Sequence, residues 1–202
     1  MTHEQQPTVA VALAVCLGVV VVSWVAGALY NAARKPARRR RRVLRSRTVL
    51  VIVVVILAVA VARLVPDSAW QRLALNAWWI IAPGLVVLAA STAFTLWARA
   101  ALGTMWSASA AIKEGHALRT YGPYGVTRHP IYTGMLGMFL ATVLLFGGGA
   151  ALLIVPVALV FLEVKIGAEE QVLTAEFPDD YPRYRREVPQ LVPWLGSRRG
   201  RS

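Results

Sequence analysis

The chain has 202 residues, with 22 Lys or Arg against 10 Asp or Glu, a formal net charge of +12, and 57% hydrophobic residues. Its apolar residues gather in blocks of roughly 20, the length that crosses a bilayer as a helix, and this excludes an ordinary soluble domain. A single cysteine, Cys16, excludes a disulfide framework and a zinc cluster. With neither a Gly-rich phosphate loop nor a Rossmann fingerprint, any cofactor has to be held by another architecture.

The first apolar block is 8–30, "TVAVALAVCLGVVVVSWVAGALY". A cleaved leader would need basic residues ahead of it, and "MTHEQQP" has none. The second, about 48–65, is rich in β-branched residues; in water that suggests a strand, but in lipid only a helix satisfies such a backbone by itself. The third runs from about Asn76 to Trp97, with Trp78 and Trp79 near one end and Trp97 at the other, as an interfacial aromatic belt requires. Two further blocks, about 131–146 and 150–166, are separated by "GGG" at 147–149 and form a helical hairpin around a tight turn. The expectation is an all-α integral membrane protein with five transmembrane helices.

Between the first two spans lies a basic loop at 31–47, with nine Arg or Lys and no acid. Such a run can bind nucleic acid, but between two spans it has a simpler cause. Basic loops stay in the cytoplasm and sit against anionic head groups. The connection after span two, "PDSAWQR", is short and near neutral, and the segment from Arg99 to Arg128 holds four basic residues and one acid. With five spans the amino terminus is outside and the carboxyl terminus cytoplasmic. The charge pattern and the lack of targeting signals place the chain in a bacterial plasma membrane.

Two polar segments then share the cytoplasmic face: 103–132, and the stretch that follows span five. Lys165 and Glu169 are four apart and share a helical face, while Glu170 and Gln171 point elsewhere. Taken alone, the pair is explained by an ordinary helical ion pair, and His129–Pro130 by a helix start with proline in the first turn. Beyond Pro178, "DDYPRYRREVP" reads as a C-terminal amphipathic helical segment lying along the head groups. What joins these features is a common membrane edge, with His116, Tyr124 and Tyr132 close by.

"KEGHALRTYGPYGVTRHPIYTG", then a hairpin, then "AEE", then "YPRYRREVPQLVP", closely resembles the isoprenylcysteine carboxyl methyltransferase family, itself similar in its core to phospholipid methyltransferases. The resemblance covers roughly 100–194. It implies a membrane-embedded enzyme that uses S-adenosylmethionine without a Rossmann domain. By that resemblance the cofactor pocket falls on Ser109, His116, Ala117, Leu118, Arg119, Tyr124, His129, Pro130, Ile131, Tyr132 and Glu169. Where the family has an arginine near a carboxylate substrate this chain has Lys165, which takes the catalytic position; where the family commonly has glutamine it has Ser109. Residues 1–98 then form three transmembrane helices with the basic loop, and 99–202 the methyltransferase core.

The residue chemistry is compatible with that reading. Tyrosine faces attract a sulfonium cation. Glu169 can accept hydrogen bonds from an ammonium or ribose hydroxyls, while His129 and backbone amides can serve the carboxylate end. Methyl transfer mainly requires alignment and dryness. A carboxylate acceptor is already ionised, needs no base, and would be oriented by the Lys165 point charge; an amine or thiol would need His116 or His129 as base. The acceptor is a membrane lipid or lipid-soluble molecule, carboxyl O-methylation being favoured over N- or S-methylation. A transporter or assembly subunit, the reading from another class, should carry ionisable residues mid-span, whereas Arg63 and Glu163 fall near the ends of the predicted spans. No metal and no nucleic acid enter the reading.

Overall fold

The computed structural model describes the backbone of residues 5–34, 39–40, 45–74, 78–103, 111–112 and 118–192. Seven α-helices are found there: α1 (Gln5–Arg34), α2 (Arg45–Leu64), α3 (Asp67–Arg72), α4 (Ile81–Leu102), α5 (Pro130–Leu145), α6 (Ile154–Glu176) and α7 (Asp180–Glu187). Among the described residues, three apolar segments are long enough to cross a membrane, Pro7–Tyr30, Ile81–Leu102 and Gly149–Glu176; Val49–Leu64 and Pro130–Leu145 are apolar but shorter. All five apolar blocks are therefore helical. The boundaries of the third differ, because Trp78–Ile80 form a 3-10 turn and the α-helix begins only at Ile81 and runs on to Leu102. α6 is longer than its apolar block. It continues through the polar residues to Glu176 as one helix, since nothing between Ile154 and Phe177 after Pro156 breaks it.

Close approaches set the helix directions. Gly27 near the end of α1 lies against the Arg99 guanidinium near the end of α4, so these two helices run the same way. Gly84 at the start of α4 meets Leu145 at the end of α5, and Gly134 at the start of α5 meets Thr95 towards the end of α4, so this pair is antiparallel. Small residues make that contact possible: a Cβ on Gly134 would fall 2.0 Å from Thr95 Oγ1, and one on Gly137 2.2 Å from Ser91 Oγ. Helices in lipid associate through such close packing. Val9, Leu13 and Val20 of α1 pack with Leu88, Met138, Ala141 and Leu145. By contrast Val11, Val22, Leu29, Ile52, Ile56 and Leu57 of α1 and α2 are exposed, as lipid-facing residues are.

The "GGG" stretch closes the hairpin by a specific device. Gly148 N–H bonds to Val143 O at 3.0 Å and Gly147 N–H to Leu144 O at 3.1 Å, with Gly147 at φ +75°. These two bonds are the Schellman pattern, which needs a left-handed residue just beyond the helix. Gly149 N–H then bonds to Leu73 O at 3.2 Å, tying the turn to the segment after α3. At the opposite end a two-residue antiparallel ladder pairs Arg39 with Ile112 and Arg40 with Ala111. It joins the basic loop to the α4–α5 connection, a contact that helical periodicity does not announce.

Candidate active site

The site is built where α5 begins. His129 occupies the N-cap position and Pro130 the first helical one, since proline is preorganised there and pushes the preceding residue out of helical conformation. The His129 side chain makes no capping hydrogen bond. Its ring turns to α6 instead. Nε2 lies 3.3 Å from Glu170 Oε1, and Nδ1 lies 3.7 Å from Glu169 Oε2. Successive helical residues diverge by about 100°, yet one imidazole reaches both carboxylates because its nitrogens lie on different sides of the ring. Tyr132, one turn into α5, donates its phenol to Glu169 Oε1 and stacks on His129, with centroids 5.9 Å apart and 25° between planes.

Glu170 therefore does not point away from the site; it is the buried centre of a charge cluster. Arg128 donates Nε and Nη2 to Glu170 Oε1 at 3.2 and 3.0 Å, and the Arg185 Nε stands 3.7 Å from Oε2. Arg128 and Glu170 are each 9% exposed and His129 5%. Glu169 keeps its free side towards the same place and does not pair with Lys165. Lys165 is half-buried, with neither ion pair nor hydrogen bond among the described residues. Sequence reasoning missed Arg128, Glu170 and Arg185. The available signal was matching of polar pairs: "RH" before α5 sets an arginine and an imidazole opposite the two carboxyl groups of "EE" on α6.

The C-terminal segment continues into the short amphipathic helix α7. α7 turns Tyr181 and Tyr184 inward while Arg183, Arg185, Arg186 and Glu187 stay exposed. Tyr184 donates to Tyr124 O at 2.6 Å, and the Tyr124 phenol donates to Ala98 O at 3.5 Å. Burial, then the Glu169 carboxylate, pushes the Tyr124 phenol up; burial does the same for Tyr184, and burial followed by Glu170 for Tyr181. These phenols remain hydrogen-bond groups at neutral pH and are not bases. The chain then runs back along α5: Arg128 N–H bonds to Pro189 O at 2.8 Å and His129 N–H to Gln190 O at 3.1 Å. Those two amides are thus committed and do not serve a ligand carboxylate. Gln190 also donates to both oxygens of Glu163, at 3.2 Å each. Glu163 lies in the middle part of α6 because the helix runs on beyond the apolar block, whose end falls near this residue.

Of the sequence-identified residues, Tyr124, His129, Pro130, Ile131, Tyr132 and Glu169 come together around the start of α5. Leu118 and Arg119 lie in the strand-free approach to the 3-10 turn Gly122–Gly125, half-buried, with the Arg119 guanidinium 5.1 Å from the Tyr121 ring centroid. Ser109, His116 and Ala117 lie outside the described residues. No cluster of three potential metal ligands occurs among the described residues.

Fold and site together define a helical membrane protein whose charged cluster is assembled at one end of an apolar helical hairpin. Residues 79–175 match the model of the isoprenylcysteine carboxyl methyltransferase (ICMT) family, in line with the motif-based resemblance. This match takes in α4 and ends just before the end of α6. Among curated proteins, the chain is similar to methanethiol S-methyltransferase 2 of Bradyrhizobium diazoefficiens, 32% identical over 144 residues, covering 68% of this chain and 54% of that protein. It is also similar to the protein-S-isoprenylcysteine O-methyltransferase of Schizosaccharomyces pombe, 37% identical over 83 residues, which are 41% of this chain and 35% of the relative. A methanethiol S-methyltransferase of Crocosphaera subtropica is 35% identical over 75 residues, 37% of this chain and 29% of the relative. The chain thus matches about half the length of the first of these and less of the others.

Proposed function

We propose that the chain is an S-adenosylmethionine-dependent membrane methyltransferase acting on a lipidic or small acceptor, with carboxyl O-methylation as the leading reaction. The observation that carries the reading is the convergence of His129, Tyr132 and Glu169 from two helices onto one place. The donor set suits the molecule. Aromatic faces suit its sulfonium, and Glu169, whose side chain is 28% exposed, has an oxygen edge left for an ammonium or for hydroxyls. S-adenosylmethionine would supply an electrophilic methyl group; Glu169 and the tyrosines would bind and orient it, and the surrounding apolar helices would keep water away. Ser109, His116, Ala117, Leu118, Arg119, Tyr124, Pro130 and Ile131 complete the proposed donor pocket.

The acceptor assignment rests on Lys165 and on the partners of His129. Both ring nitrogens of His129 point at carboxylates, Nε2 at Glu170 and Nδ1 at Glu169, so the ring is engaged within the cluster and not turned to an acceptor. Lys165, without a partner among the described residues, suits an acceptor that arrives as an anion and is oriented by a point charge. A second reading, methylation of a small thiol, draws on the names of the Bradyrhizobium and Crocosphaera relatives. We place five spans in the membrane with the amino terminus outside and the site on the cytoplasmic face of a bacterial plasma membrane.

Membranes incubated with methyl-labelled S-adenosylmethionine separate these chemistries. A methyl ester releases labelled methanol in alkali, while a methyl thioether is alkali-stable. Lys165→Ala should lower kcat/KM for a carboxylate acceptor about tenfold to a hundredfold, the worth of a charged hydrogen bond of about 1.5–3 kcal/mol, and leave donor affinity nearly unchanged. Alkali-stable volatile product with an unaffected Lys165→Ala variant would overturn carboxyl methylation in favour of the small thiol. No transfer to any fraction, with donor binding absent, would overturn the methyltransferase reading itself.

A further inference from the structure

Past the family match, which ends at residue 175, the C-terminal segment makes an unusually dense set of bonds to the start of α5. Five converge on a stretch of six residues. Arg128 Nη1 donates to Val188 O at 2.6 Å and to Arg185 O at 3.0 Å. The Arg128 and His129 amides donate to Pro189 and Gln190 carbonyls, and Thr133 Oγ1 donates to Leu191 O at 2.6 Å. Thr127 Oγ1, fully buried, lies 3.2 Å from Thr133 Oγ1. The remaining Arg128 donors, Nε and Nη2, go to Glu170. One guanidinium therefore joins three parts of the chain: the approach to α5, the carboxylate post on α6, and the end of α7 with the segment that follows it.

We propose that Arg128 is a positioning residue and that residues 185–191 are a latch which fixes the donor-binding geometry of His129 and Glu169. The inference rests on the donor site proposed above. The physical reason is reach. His129 lies outside the regular part of α5, with φ −124° and ψ +62°, so helical hydrogen bonds alone do not fix its ring. Its carboxylate partners sit on another helix. Arg128 uses its planar fork to hold Glu170 under His129, and it simultaneously caps two carbonyls of the latch, a combination that a lysine point charge cannot reproduce. The adjoining Glu169 is one residue on the same helix, so its place relative to Tyr132 depends on the same strut.

A buried ion pair contributes little net stability, and replacing both members by apolar residues often leaves a fold intact. This separates positioning from folding. The test measures S-adenosylmethionine affinity by calorimetry and thermal stability on the purified full chain in one detergent, for the wild type, Arg128→Lys, the double variant Arg128→Met with Glu170→Leu, Thr133→Val, Thr133→Ser and the exposed control Arg183→Ala. The expected result is a Kd raised at least tenfold in Arg128→Lys and in the double variant while the double variant keeps its Tm. Thr133→Val should weaken binding severalfold, Thr133→Ser should restore it, and Arg183→Ala should match the wild type. Wild-type affinity in a stable double variant, or in Thr133→Val, would overturn the latch. A wild type that does not bind S-adenosylmethionine would instead overturn the donor site, which is a different failure.

Discussion

At the scale of single residues, the site is governed by which polar groups are already committed. Glu170 is spent on Arg128 and His129, and Glu169 shares its oxygens between Tyr132 and the facing His129 nitrogen. Tyr124, Tyr181 and Tyr184 are buried, and their phenols are pushed up from the ordinary value near 10. A phenol whose folded pKa exceeds its unfolded one favours folding fully below about pH 10, and that contribution is lost as pH rises towards the folded value. Stability should accordingly fall above about pH 10, by up to about 1.4 kcal/mol per pH unit for each such phenol. In an alkaline titration, the phenolate absorbance of these three residues should appear together with loss of helical circular dichroism. Full phenolate absorbance with an unchanged helical signal would show that they are not buried.

At the scale of elements, glycine decides how closely helices approach. α5 meets α4 through Gly134 and Gly137, which lie over Ser91 and Thr95. In an exposed helix, replacing glycine by alanine stabilises by about 1 kcal/mol. Here Gly134→Ala would place its Cβ 2.0 Å from Thr95 Oγ1 and 2.9 Å from Ser91 O. The hydroxyl can move; the carbonyl belongs to a helix backbone and cannot. Gly134→Ala should therefore destabilise by about 1–3 kcal/mol, the usual cost of overpacking, and adding Thr95→Ala should recover only part of it. Thermal unfolding in detergent reads both changes. A higher Tm for Gly134→Ala would mean that α4 and α5 stand further apart than this contact requires. Because α5 carries His129 and Tyr132, any shift of this pair also moves the site.

At the scale of the whole molecule, the alternating helix directions collect the polar segments at one end. The ends of α1, α4 and α6, the starts of α2 and α5, and α7 all lie there, and the Arg39–Arg40 ladder with Ala111–Ile112 ties the basic loop to the same end. Arg and Lys in short loops set orientation, while acids contribute little. A reporter fused after Ser202 should be cytoplasmic and a tag before Met1 accessible from outside. Replacing Arg38, Arg39, Arg40, Arg41 and Arg42 by glutamine should weaken that preference. A tag protected from external protease in sealed cells would reverse the proposed orientation.

The sequence by itself determined the helices, the turn and the motif. Block length, the three glycines at 147–149 and Pro130 act locally, through burial in lipid, a left-handed turn and a fixed φ, so neighbouring residues suffice to reveal them. It also singled out His129, Tyr132 and Glu169 as candidate site residues, by a resemblance over roughly 100–194; the family model matches 79–175. It did not reveal the partners of the charges. Lys165 and Glu169 share a helix face at the spacing of an ion pair, yet Glu169 turns to Tyr132 and His129, and Glu170, one residue on, receives Arg128. Those pairings join residues 37 to 42 positions apart, and the latch bonds join residues about 60 apart. Only the antiparallel packing of α5 on α6 and the return of the chain after α7 bring them within hydrogen-bond reach. A buried charge takes whichever partner the packing offers, because leaving it unpaired costs more than forgoing a local pair at an exposed helix face.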